Sequence, residues 1–128
     1  MTTAGTDLAR AWASLEEELD GDREAVERFV LAWSEHLEER LTAVGYALAA
    51  GDEPAARTTL STLRQSSRAV GAHHLAALAG RALRSLDSGA QAAASVLLPA
   101  RSVADDTLRV VATQLLAWHA RTARAQMR

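Results

Sequence analysis

The chain has 128 residues, with 14 basic and 16 acidic side chains, a formal net charge of −2 and no cysteine. That length suits one domain, expected over residues 1–128, with a core that needs neither disulfide nor metal. Disulfides, thiolate catalysis and cysteine-based zinc sites are excluded by composition, and the near-neutral balance offers no concentrated basic surface for nucleic acid.

Alanine, leucine, arginine and glutamate dominate and β-branched residues do not alternate, so the fold class is all-α. A short amphipathic helix is expected from Asp7 to Leu19, on Leu8, Trp12, Leu15 and Leu19, ended by Asp-Gly-Asp at 20–22. A long helix follows from Arg23 to Ala50, with Val26, Phe29, Val30, Trp33, Leu37, Leu41, Val44 and Leu48 as one stripe at helical spacing. Glu24 and Glu27 favour the positive end of its dipole. Gly-Asp-Glu-Pro at 51–54 is a turn, with Gly51 as a left-handed cap and Pro54 opening a third helix that runs to Val70. Gly71 ends that helix, and a fourth spans 72–86, with Leu75, Leu78, Ala79, Ala82, Leu83 and Leu86 inward. After Asp-Ser-Gly at 87–89 comes a short helix at 90–98, interrupted by Pro99, which cannot continue a helix without loss. The last helix is expected over 103–125, with Ser102 as N-cap, Asp105 three residues later, and Val103, Leu108, Val111, Leu115 and Trp118 inward. Short connections between long amphipathic helices imply antiparallel neighbours. The expected architecture is an antiparallel up-and-down four-helix bundle with a short extra N-terminal helix.

The opening residues carry no basic segment followed by an apolar run, so no signal peptide is expected. No apolar stretch approaches the ~20 residues of a membrane span. A cytoplasmic protein, a monomer without membrane association, is the expectation. Lysine, asparagine and isoleucine are absent, the bias expected of a GC-rich bacterial genome.

The third helix carries the chemistry. Opposite its apolar positions Leu60, Leu63 and Val70 lies a strip of Ser61, Arg64, Gln65 and Arg68, at i, i+3, i+4 and i+7. From Ser61 to Ala72 the sequence reads S-T-L-R-Q-S-S-R-A-V-G-A, followed by a leucine- and alanine-rich helix. This resembles the signature of histidine-containing phosphotransfer (HPt) domains of two-component phosphorelays, roughly H-x-L-K-G-S-S-x-x-L-G-A. Leu63, Ser66, Ser67, Val70, Gly71 and Ala72 match, and Arg64 stands where the family has lysine. The likeness extends over residues 15–116, including the preceding long helix and its Ala-Leu-Ala-Ala-Gly-Asp turn.

Two departures are decisive. The phosphoacceptor histidine of the family falls on Ser61, and the glycine four residues later falls on Gln65. Imidazole is partly neutral near pH 7 and attacks without help. A serine hydroxyl is a weak nucleophile unless a base adjoins it, and Arg64, Gln65 and Arg68 include none. The glycine of the family leaves room above the histidine, and a long Gln65 side chain fills that room. The resemblance therefore implies a degenerate HPt domain in two-component signalling. It is not an enzyme and needs no cofactor. It meets the receiver domain of a response regulator, or a histidine kinase, through Ser61, Arg64, Gln65 and Arg68.

Two alternatives stand beside it: an active phosphotransfer protein using another histidine, His36 foremost, and a helical adaptor or dimerisation module. His73 and His74 follow Ser61 by more than three turns and are expected at one end of the bundle, away from the strip. His119 and His36 flank apolar stripes as boundary residues. No metal site is expected, since the adjacent pair lacks i, i+4 partners. The glutamates at 16–18 and 38–39 diverge around their helices and form solvated faces. Trp12, Trp33 and Trp118 lie on apolar stripes and read as core.

Overall fold

A computed structural model describes residues 3–127. The described residues are all-α: helices α1 (Thr3–Glu18), α2 (Arg23–Ala49), α3 (Glu53–Val70), α4 (His73–Ser85), α5 (Ala90–Val96) and α6 (Ala100–Gln126), with a 3-10 turn at Leu86–Ser88. None of these helices is long and apolar enough to cross a membrane.

The boundaries follow local chemistry. Asp22 caps α2 by accepting the Ala25 N–H at 3.0 Å, and Glu24 adds a carboxylate to the first turn. Asp52 does the same for α3 through the Ala55 N–H at 3.2 Å, with Pro54 in the first turn. Gly71 closes α3 with φ +85° and hands the Ala72 N–H to the Ser67 carbonyl, a left-handed cap. The expected Ser102 cap is not used. The helix begins at Ala100 directly behind Pro99, with no side-chain cap bond, so Ser102 is an exposed residue of its first turn. Proline needs no N–H donor partner and fits a helix start, which makes a serine cap two residues later unnecessary.

The core is continuous through the helices. Val26, Val30, Trp33, Leu37, Leu41, Val44 and Leu48 are buried along α2, and Leu60, Leu63 and Val70 along α3. Leu75, Leu78, Ala79 and Ala82 face them from α4. Phe29 departs from the expected stripe and is 39% exposed, because Val26 and Val30 already occupy the inward line and Phe29 falls to its flank. Leu19, one residue past α1, is 37% exposed. Leu83, Val103, Leu108 and Leu115 are half-buried at the edges of the core.

Neighbour relations are read from specific contacts. α3 packs against both α2 and α4, and α6 closes on α2 and α4. α2 and α6 run in opposite directions. Arg101 at the start of α6 donates to Thr42 late in α2, and Gln126 at its end donates to Glu24 early in α2. Two further contacts set α3 against α4: Arg57 faces Asp87 at 3.7 Å, and the Arg64 side chain lies against Gly80. α1 lies across the α3–α4 turn. Trp12 Nε1 donates to the Val70 carbonyl at 2.8 Å, and Trp12 meets Trp118 edge-on at 5.8 Å. Arg23 ties the same end together: it pairs with Glu16 of α1 at 2.8 Å, donates to Thr122 of α6 and stacks at 3.8 Å over Trp118.

Candidate functional site

The α3 sequence sorts its two faces by periodicity. Ala56, Leu60, Leu63, Ser67 and Val70 are buried, and at the intervening positions Arg64, Gln65 and Arg68 are exposed. Ser61 is half-buried at the margin of this face rather than at its crest. The four strip residues thus share one side of one helix. The second serine of the Ser66–Ser67 pair belongs to the core: Ser67 is fully buried and its hydroxyl has no partner. Ser66 donates to the Leu63 carbonyl at 3.3 Å.

The helical hydroxyls fall into two groups among the described residues: those that bond back into their own helix and those that do not, with Ser61 in the second beside Thr59 and Thr62. Thr58, Ser95, Thr107 and Thr113 each donate back to the carbonyl four residues earlier. The Ser61 hydroxyl makes no such bond and no other side-chain hydrogen bond among the described residues. Among the described residues no carboxylate or imidazole hydrogen-bonds to it, so none of them is in place to take its proton. Nucleophilic attack by Ser61 is unassisted.

Arg57, one turn before Ser61, is held by Asp87, whereas Arg64 and Arg68 pair with no carboxylate among the described residues. Arg64 leans across to α4: a Cβ built on Gly80 would lie 3.5 Å from Arg64 Nε and 3.6 Å from Arg84 Nη1. Arg84 and Gly80 lie beside Arg64 in a way that periodicity alone does not find, since they belong to the next helix. The available signal was a glycine inside a helix beside two arginines, a position that costs ~1 kcal/mol relative to alanine.

Arg68 points the other way, into a cleft of about 340 Å³ shared with Asp7, Arg10, Ser14 and Glu18 of α1 and with His73. This corrects one expectation. His73 does not stand apart from the strip: it borders the cleft of its last arginine, because α4 turns back directly after Gly71. His74 is exposed on the first turn of α4. His36 is exposed on α2, with Nδ1 2.7 Å from the Ala32 carbonyl of its own helix, and His119 sits 3.1 Å from Glu27. None of the four histidines lies on α3.

A larger hollow lies elsewhere. A groove of about 1,020 Å³ runs between the second half of α2 and α5, lined mainly by leucine, alanine and Gly45. Its one charged lining residue, Arg101, is engaged by Glu38 and Thr42. Among the described residues no group of three or more His, Asp or Glu side chains is placed to hold a metal ion. Comparison of the chain with family models, curated proteins and solved structures finds no match.

Proposed function

We propose that this chain is a degenerate HPt domain of a two-component system, which docks on a receiver domain or a histidine kinase without carrying phosphate. The architecture in this reading is an antiparallel four-helix bundle of α2, α3, α4 and α6, with α1 as the extra N-terminal helix. The ring of contacts α2–α3, α3–α4, α4–α6 and α6–α2 supports that arrangement.

The observation that carries the reading is the exposed face of α3. It presents Arg64, Gln65 and Arg68 without internal carboxylate partners and, at the phosphoacceptor position, an unassisted serine. Receiver active sites are built from acidic side chains, so two unpaired guanidinium groups supply charge of the complementary sign. A phosphoserine ester, were it formed, would be too stable to return its phosphate to an aspartate.

The test is binding of purified receiver domains, measured by calorimetry as a function of salt. Docking through the strip predicts affinity that falls as ionic strength rises and is lost in an Arg64→Glu/Arg68→Glu double variant. If receivers bind the double variant as well as the parent, or bind neither, the adaptor reading replaces this one. The active-transfer reading also has a specific observation in its favour: His73 adjoins Arg68, which makes it better placed than His36. Acid-labile phosphate on His73 is what that reading predicts.

A further inference from the structure

The strip was defined on one helix, but its chemistry continues onto the next. The hairpin from Glu53 to Ser85 holds five arginines and one carboxylate. Arg57 is neutralised by Asp87. Arg64 and Arg84 are not: each is exposed, and neither pairs with a carboxylate among the described residues. Yet both are brought to the same place. Arg64 Nε and Arg84 Nη1 lie within 3.6 Å of the one point where a Gly80 Cβ would stand. Two like charges that converge without a counter-ion repel each other, and an anion between them relieves that repulsion.

The absent Cβ matters to this geometry. A side chain at residue 80 would occupy the space between the two guanidinium groups. Glycine leaves it to them, at the conformational cost of a glycine in a helix interior. The pairings Arg57–Asp87 and Arg64–Gly80 also fix the register of α3 on α4, and that register sets the Arg84 turn level with Ser61. Ser61 holds its hydroxyl free of any internal side-chain hydrogen bond. Two guanidinium forks therefore border a single spot on the α3–α4 seam, and Ser61 lies one helical turn before Arg64 on the same side of α3.

We propose that Arg64 and Arg84, seated over Gly80 and joined by the Ser61 hydroxyl, form a non-covalent binding site for a phosphoryl group. Two unit positive charges match a phosphoryl dianion better than a singly charged carboxylate, and guanidinium forks suit its several acceptor oxygens at ~2.7–2.9 Å. The site holds the group and forms no bond to it, since nothing activates Ser61. The inference rests on the docking reading for its biological ligand, which is then a phosphoryl group carried by the receiver. The docked partner is the phosphorylated form in preference to the unphosphorylated one.

The experiment titrates the isolated full chain with inorganic phosphate at fixed ionic strength, following arginine side-chain NMR resonances. Saturable shifts at Arg64 and Arg84 are expected, with acetate giving none of comparable affinity. Arg84→Gln weakens phosphate binding about tenfold or more, and Arg81→Gln, one residue beyond Gly80, leaves it unchanged. Gly80→Ala keeps both charges but fills the seat. It weakens binding with no loss of thermal stability, because the added methyl meets its neighbours at ordinary contact distance. The proposal is overturned if phosphate shifts neither arginine, if acetate binds as well as phosphate, or if Arg81→Gln and Arg84→Gln weaken binding equally. Phosphate binding that persists while no receiver docks, phosphorylated or not, keeps the seat and sinks the docking reading, so the two failures are told apart.

Discussion

Gly71 is where α1 presses on the end of α3, and replacing it with alanine measures that contact. Gly71 has φ +85°, and an added Cβ would stand 2.7 Å from the Asp7 carbonyl oxygen, 2.8 Å from Ala11 Cβ and 3.0 Å from Leu8 Cα. The first and third of these are α1 backbone atoms and cannot rotate away. Gly51 is the natural control. It follows α2 with φ +71° and has nothing within 4 Å of the same built atom. Alanine at either position bears the left-handed backbone cost of about 1–2 kcal/mol. The gain from stiffening the unfolded chain is common to both and cancels in the difference. Gly71→Ala must also move α1, at the 1–3 kcal/mol typical of overpacking. That movement strains the Trp12–Val70 hydrogen bond, worth about 0.5–1.5 kcal/mol. The expected totals are about 1–2 kcal/mol for Gly51→Ala and about 2.5–6.5 kcal/mol for Gly71→Ala. Urea unfolding followed by tryptophan fluorescence and far-ultraviolet dichroism gives both values. If the two variants differ by less than about 0.5 kcal/mol, α1 does not rest on this turn and the placement of Arg68 beside it is wrong.

Other outcomes follow from the same contacts. Trp12→Phe keeps an aromatic ring but removes the donor to Val70 and part of the buried indole, and is expected to cost about 2–4 kcal/mol in chemical denaturation. Arg23→Met abolishes the bonds to Glu16 and Thr122 and the guanidinium stacking over Trp118, with a loss of about 1–3 kcal/mol. Glu16→Gln alone costs less than about 1 kcal/mol, since that pair is partly solvated. Arg64→Glu/Arg68→Glu changes stability by no more than about 0.5 kcal/mol, both residues being exposed, while abolishing receiver binding. A double variant that unfolds instead would show these arginines to be structural.

Helix positions were legible because inward residues recur at steps of three and four, as along α2 from Val26 to Leu48. Turns were legible at 20–22 and 51–54 and at Gly71, where glycine or proline has one local task, whereas the N-cap roles of Asp22 and Asp52 emerge only from the structure. Two further features were not legible. α1 starts at Thr3 rather than Asp7, and its first turn meets α6 through the Gln114 amide donating to the Gly5 carbonyl. That contact spans more than a hundred residues and leaves no local mark. Ser102 looked like a cap because its spacing to Asp105 is right, but Pro99 opens the helix earlier. The strip itself was visible as a helical face. Its partners Gly80, Arg84 and His73 were not, because only the α3–α4 register and the tight turn at Gly71 bring them alongside.

The most direct measurement incubates the chain with a receiver domain bearing labelled phosphate on its aspartate. Complex formation and label transfer are followed in the same samples. The account predicts a complex in which all label stays on the receiver. Acid-labile label appearing on any histidine of this chain would contradict it.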